Sequence, residues 1–264
     1  MAAFDASLGL ASLLVASSAA LVTLRARRSA APAEGLPRHP IAAFFAQPDD
    51  ALLLGAIGES IAAMAAGSGL AALPPEARVI RDIAFSGNGE PTGCRNFGEI
   101  VERVVSIRDE AGLSEVPIRL ITNGSLVHRP EVQDALKALS RAGGEVWFKV
   151  DGGTQEDIAR INGVDIKPQA HAHRLALCAS LCPTWVQTCL FRWDGASPTQ
   201  AFMDAYMDIL KTAGTASLKG ILLYGVARPS FQPEAVHLQR LSPEELEAIA
   251  TRLRDEGLAV AVSP

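Results

Sequence analysis

The sequence predicts an α/β protein on a parallel sheet, a barrel or part-barrel rather than the competing doubly wound open sheet. Three observations lead there. From Val79 to Val262 short apolar strands alternate with helical stretches, the pattern of successive βα units. Polar and glycine-rich clusters follow those strands again and again, where parallel α/β folds bind their ligands. A length of 264 residues with 48% hydrophobic and 20% charged residues suits one large α/β domain or two small ones with a sizeable core.

The elements read as follows. Leu8–Leu24 is an apolar run rich in Ala and Ser, followed by Arg25, Arg27 and Arg28. Positive charges after the run are the wrong order for a secretory signal. They suit a membrane anchor through residues 8–24 with its arginines on the cytoplasmic side, yet the run is short and weakly apolar for a span. Residues 29–40, with three prolines and a glycine, read as a linker. Residues 1–48 are thus expected to be poorly ordered or misassigned and to stand outside the fold, with 49–264 forming the α/β domain.

From Asp49 the texture changes. Leu52, Leu53, Ile57, Ile61 and Met64 recur at helical spacing. Strands are expected at Val79–Phe85, Pro117–Ile121, Glu145–Val150, Thr184–Phe191, Leu218–Tyr224 and Leu258–Val262. Helices are expected at Asn96–Ala111, Pro130–Ala142, Thr154–Ile161, Pro168–Leu181, Pro198–Thr212 and Ser242–Glu256. Pro130 stands in a first turn, where its missing N–H costs nothing, and Thr154 is a natural N-cap. Ser242-Pro243-Glu244-Glu245 spells a capping box.

The net charge of −5 gives no electrostatic support to a nucleic-acid substrate. Cys94, Cys178, Cys182 and Cys189 are too few and scattered for a disulfide framework, which points to a reducing cytoplasm.

The post-strand clusters are Ser86–Thr92, Thr122–Ser125 and Lys149–Gly153. Each has a structural reading as well as a functional one. Gly87 and Gly89 shape a tight turn, Glu90 suits a helix start, and Asn123-Gly124 is a common turn pair. Lys149 is the least ordinary, lying between Phe148 and Val150 in a strongly apolar strand. A charge buried there needs a partner, and Asp151, two residues on, shares its face. Lys149 and Asp151 are therefore either a candidate catalytic pair or a satisfied structural pair.

At these residues the chain resembles the radical S-adenosylmethionine (SAM) proteins. Asp82-Ile-Ala-Phe-Ser-Gly-Asn-Gly-Glu-Pro-Thr92 is similar to the family's second-strand motif, in the form found in iron–sulfur oxidoreductases related to the wyosine-synthesis enzymes. Leu120–Ser125, Val146–Thr154 with Arg160-Ile-Asn162, Trp185–Thr188 and Tyr224–Pro229 resemble later segments, in the right order. The resemblance implies a partial (β/α) barrel. It implies SAM contacts from Gly87, Asn88, Gly89 and Glu90 to the methionine moiety, and from Asn123 and Ser125 to the ribose or carboxylate. It makes Lys149 and Asp151 site residues of the lower barrel, acting on a substrate the sequence does not identify.

One part of the family's pattern is missing. The resemblance implies a 4Fe–4S cluster held by a C-x3-C-x2-C loop after a first strand, and residues 1–93 contain no cysteine. Cys178 and Cys182 have a tempting spacing, but they fall on an apolar helix and Cys189 on a strand, where small buried hydrophobes are expected. Cys94 reads as a reactive thiol or a simple loop cysteine. A normal first strand and cluster loop are thus expected to be absent. Three readings follow: a truncated or misread N-terminus, a SAM-binding or partner-binding protein without radical chemistry, or a cluster-free α/β enzyme.

Overall fold

The computed structural model describes residues 9–16, 21–28, 59, 61–62, 66, 80–86, 90–226 and 233–263. Two compact units divide the chain, one over residues 7–146 and one over 147–264.

The first unit is a four-strand arrangement flanked by two helices. Its strands are β1 (Gly9–Ala16), β2 (Leu21–Arg28), β3 (Ile80–Phe85) and β4 (Ile118–Thr122), in that spatial order. β3 and β4 run parallel, with Ile83 opposite Ile118. β1 and β2 form an antiparallel pair, Leu13 opposite Leu24, and β2 runs antiparallel to β3. The sequence reading assigned no strand here, because an unbroken Ala/Ser/Leu run shows neither the strand nor the helix period. The neighbour of β3 on this side is thus an antiparallel strand, not a parallel first strand of a βα unit. No helix among the described residues is long and apolar enough to cross a membrane.

Helices α1 (Phe97–Glu110) and α2 (Pro130–Arg141) follow β3 and β4 and pack against each other. α1 buries Phe97, Ile100, Val101, Val104 and Ile107, the i, i+3, i+4 stripe expected from its sequence. Phe97 meets Phe85 edge to face at 5.7 Å. Arg108, in the last turn of α1, is buried and donates to the carbonyls of Val116 and Ala142, fastening two loops. Arg119 of β4 bridges Asp82 of β3 and Glu145, an ion-paired trio that satisfies charges too buried to stand alone. The helix expected from Asp49 lies outside the described residues apart from Glu59, Ile61 and Ala62, which are helical.

β5 (Glu145–Lys149) leads into the second unit. There follow α3 (Gln155–Asn162), α4 (Pro168–Leu181), β6 (Thr184–Cys189), β7 (Arg192–Trp193), α5 (Gln200–Ala213), β8 (Gly220–Tyr224), β9 (Leu238–Gln239), α6 (Pro243–Asp255) and β10 (Val260–Ser263). β6, β8 and β10 are parallel neighbours in that order. Val150 N–H donates to Gln187 O at 3.1 Å, holding the end of β5 to β6. β7 and β9 make a two-residue antiparallel pair too short to leave a sequence pattern.

The two faces of this sheet differ. Phe148, Val186, Thr188, Ile221 and Leu223 are buried on the face under the helices. Lys149, Gln187, Cys189, Leu222 and Tyr224 alternate with them and are only half-buried. Capping boxes open α3 (Thr154 with Asp157) and α6 (Ser242 with Glu245), the second as the sequence spelled it. Gly153 lies so close to α5 that a Cβ there would stand 2.2 Å from Tyr206 N, so no side chain fits.

Candidate functional site

In the first unit the chemistry gathers where β3 and β4 end. Gly87, Asn88 and Gly89 lie outside the described residues. Glu90 caps a single 3-10 turn, Pro91–Gly93, instead of opening an α-helix. Its carboxylate is spread across two strand ends. Oε1 accepts Thr92 Oγ1 at 2.6 Å and Thr122 Oγ1 at 2.6 Å, with Thr92 N–H at 3.3 Å. Oε2 accepts Asn123 N–H at 2.8 Å. Thr122 Oγ1 in turn accepts Gly124 N–H at 3.0 Å. Asn123 Oδ1 accepts Ser125 N–H at 2.9 Å, which leaves the exposed Asn123 amide N–H2 without a partner among the described residues. Oε1 is crowded by three donors, whereas Oε2 accepts only the Asn123 N–H among the described residues and so retains acceptor capacity. Glu90, Asn123 and Ser125 therefore meet at one place. Thr122, which the sequence reading treated as part of a turn, is the residue that aims Glu90.

In the second unit a polar group lies at the ends of β5, β6 and β8. Asp151, 4% exposed, accepts Cys189 N–H at 3.0 Å on Oδ1 and Asn162 Nδ2–H at 3.1 Å on Oδ2. Lys149 Nζ stands 3.6 Å from Oδ2, so the predicted pair exists as an ion pair longer than a hydrogen bond. Its side chain is 39% exposed against 4% for Asp151. His171, in the first turn of α4, reaches the carbonyl of Lys149 with Nε2 at 3.0 Å, and its Nδ1 is buried without a hydrogen-bond partner. Since a carbonyl only accepts, Nε2 carries the proton. Burial holds the His171 pKa below its ordinary value, and the hydrogen bond to Lys149 O opposes that only in part.

Cys189 and Tyr224 are register partners on β6 and β8. Burial, with the Asp151 charge adding to it, pushes the Cys189 thiol up to about 12. The Tyr224 phenol is pushed up for the same two reasons and stays a neutral donor within hydrogen-bonding reach of the thiol. Sequence reading took Cys189 for a small buried hydrophobe within a strand and named Tyr224 only as the start of a segment that resembles the family, so neither was singled out as a site residue; a strand-end cysteine or tyrosine is equally compatible with plain packing.

The thiols do not fit an iron–sulfur cluster. Cys178 is fully buried and receives a contact from Thr184 Oγ1 at 3.7 Å, and Cys182 ends α4, buried as well. The Cys189 environment disfavours the thiolate that iron requires. Among the described residues no group of three or more His, Cys, Asp or Glu side chains converges to hold a metal. The expectation for Cys178 and Cys182 as small buried hydrophobes agrees with this packing.

No family model matches the sequence, and no curated protein matches it. Among solved structures the fold is similar to that of a radical SAM methyltransferase from Sphaerobacter thermophilus, at 15% identity and a TM-score of 0.52, over 97% of this chain and 77% of that one. Cellobiohydrolases Cel6A from Humicola insolens (15% identity, 70% of this chain and 61% of that one) and Chaetomium thermophilum (18%, 71% and 63%) match at TM-scores of 0.38 and 0.37, too low to carry an argument. The fold is α/β, a partial (β/α) barrel of the radical SAM type.

Proposed function

We propose that the chain binds SAM at the ends of β3 and β4 and does so without a 4Fe–4S cluster on its own thiolates. The observation that carries this reading is the pairing of Glu90 Oε2, with acceptor capacity left, and the unpartnered Asn123 amide. The methionine end of SAM presents an ammonium and a carboxylate. An ammonium suits Glu90 Oε2, and a carboxylate or ribose oxygen suits the Asn123 and Ser125 donors. Gly87, Asn88 and Gly89 would let the backbone approach the ligand closely. In a radical SAM enzyme the cluster anchors SAM and supplies the electron that splits it. The thiols here do not fit that group.

Lys149 and Asp151 are proposed as the substrate-facing pair of the same protein. Asp151 is held by Asn162 and the Cys189 backbone, and it keeps Lys149 in place while Lys149 keeps its donors for a ligand.

Calorimetric titration with SAM tests the reading. Asn123→Ala and Ser125→Ala change exposed or half-exposed side chains and are expected to weaken SAM about tenfold or more together. Affinity unchanged in both would remove the site from this place. Anaerobic reconstitution with iron and sulfide is expected to give no stable four-iron species. About four irons per chain, lost in Cys178→Ala or Cys182→Ala, would overturn the assignment of those thiols.

A further inference from the structure

We infer that the outer edge of β10 is a strand-addition site for an extended, antiparallel segment of another polypeptide with an acidic residue toward its C-terminal end. This goes beyond the SAM reading and uses none of that site's residues.

β10 ends the sheet, and its one strand neighbour among the described residues is β8. The ladder fixes which backbone groups are left over. Ala259 O accepts Ile221 N–H at 2.8 Å and Ser263 O accepts Gly225 N–H at 3.3 Å, so residues of that parity face β8. The N–H and C=O groups of Val260 and Val262 therefore point outward. Arg254 shows the direction, since its Nη2 donates to Val260 O at 3.1 Å. A groove of about 400 Å³ lies along this edge, lined by Trp185, Glu247, Arg254 and residues 259–262. β10 itself carries neither a charge nor a proline, the devices that keep a sheet edge from pairing.

These groups select the ligand. Two outward N–H groups and the Val262 carbonyl, set at the two-residue repeat of a strand, match the backbone of an extended peptide. An antiparallel segment makes all three bonds within three residues, whereas a parallel one needs five. Its residue opposite Val262 exchanges both hydrogen bonds. Its residue opposite Val260 supplies only a carbonyl, because Arg254 already holds Val260 O, so proline is allowed there.

Charge sets which end is acidic. The Val260 end of the groove has Arg254 beside it, and Lys219, two residues before the register partner of Val260, lies 5.5 Å from the Trp185 ring. The one lining carboxylate, Glu247, is bound to Arg254 at 2.5 Å. Two cations against one anion suit an acidic residue just after the one opposite Val260.

The probe is the peptide acetyl-Thr-Val-Thr-Pro-Glu-amide, with valine opposite Val262 and proline opposite Val260. The full chain is labelled with nitrogen-15 and its amide hydrogen exchange is followed. At saturation the peptide is expected to slow exchange at Val260 and Val262 about tenfold or more and to leave Ala261, whose N–H already faces β8, unchanged. The expected Kd is on the order of 0.1–1 mM, the range three backbone hydrogen bonds support. N-methylation of the peptide valine removes the donor to Val262 O and is expected to weaken binding about tenfold. Lysine in place of the peptide glutamate is expected to weaken it several-fold. Val262→Pro deletes only an outward N–H, which an edge strand tolerates, and is expected to lose the peptide. The N-methyl peptide gives the same answer if that variant does not fold.

Equal slowing at Val260, Ala261 and Val262 would mean general stabilisation and overturn the proposal. So would unchanged affinity of the N-methyl peptide, or no slowing at millimolar peptide in a folded chain. Slowing at Val260 and Val262 without peptide, on raising the protein concentration, would give the edge to a second copy of this chain and overturn it too.

Discussion

Glu90 Oε1 accepts the Thr122 hydroxyl at 2.6 Å, so a carboxylate that follows β3 is clamped to the last residue of β4. The same carboxylate holds the Asn123 backbone with its other oxygen. Glu90 is thus a structural tie between two strand ends before it is a ligand contact.

That tie predicts a stability effect. Glu90→Ala removes the acceptor of four donors and leaves the buried Thr92 and Thr122 hydroxyls to find others. The expected loss is about 1–3 kcal/mol, and Thr122→Val about 1 kcal/mol, read from urea midpoints. Unchanged midpoints in both would show that the clamp contributes nothing.

Cys189 is expected to be an unreactive thiol. With its pKa at about 12, only about one molecule in ten thousand carries the thiolate at about pH 8. Iodoacetamide on the native protein should modify the half-exposed Cys94 first, and Cys189, Cys178 and Cys182 only after unfolding. Peptide mass spectrometry gives the order. Alkaline stability follows from the same shift. The folded state keeps the Cys189 proton to about 12 while an unfolded thiol releases it near 9.0, so stability falls as pH rises through that window. Tyr206 and Tyr224, both pushed up by burial, add to the slope.

His171 sets the acid side. Its folded pKa lies below 6.5, so as pH falls through 6.5 the unfolded chain takes a proton that the buried ring refuses. Stability present above that value is lost as pH falls through the folded pKa. Urea unfolding at about pH 7.5 and about 5.5 should show the loss, and His171→Phe, which keeps a ring against Phe148, should flatten it. An equal pH slope in the variant would assign the acid sensitivity elsewhere.

Gly153→Ala should be among the most damaging small substitutions in the second unit. The added Cβ meets backbone at 2.2 Å from Tyr206 N, whereas at Gly152 it meets Asp157 Cβ at 2.9 Å. A cost of about 3 kcal/mol is expected at Gly153 and less at Gly152, measured by thermal or urea unfolding of the soluble variants. The reverse order would mean that α5 moves away easily.

The sequence by itself determined the alternation of strands and helices from β3 to β10, to within a residue or two at most boundaries. Period and cap chemistry act over a few residues and are written locally: the apolar stripe of α1, Pro130 at the start of α2, Thr154 and Ser242 as caps. It also set Lys149 and Asp151 on one face, because strand geometry alone puts residues i and i+2 there. What only the tertiary structure decided is which partners these groups meet. That Glu90 is shared with Thr122, that Asn162 and the Cys189 backbone hold Asp151, and that Tyr224 stands opposite Cys189 all depend on strand register across long loops. The antiparallel strand beside β3 belongs to the same class, since an apolar Ala/Ser run has no period of its own and takes the form of the sheet edge it meets.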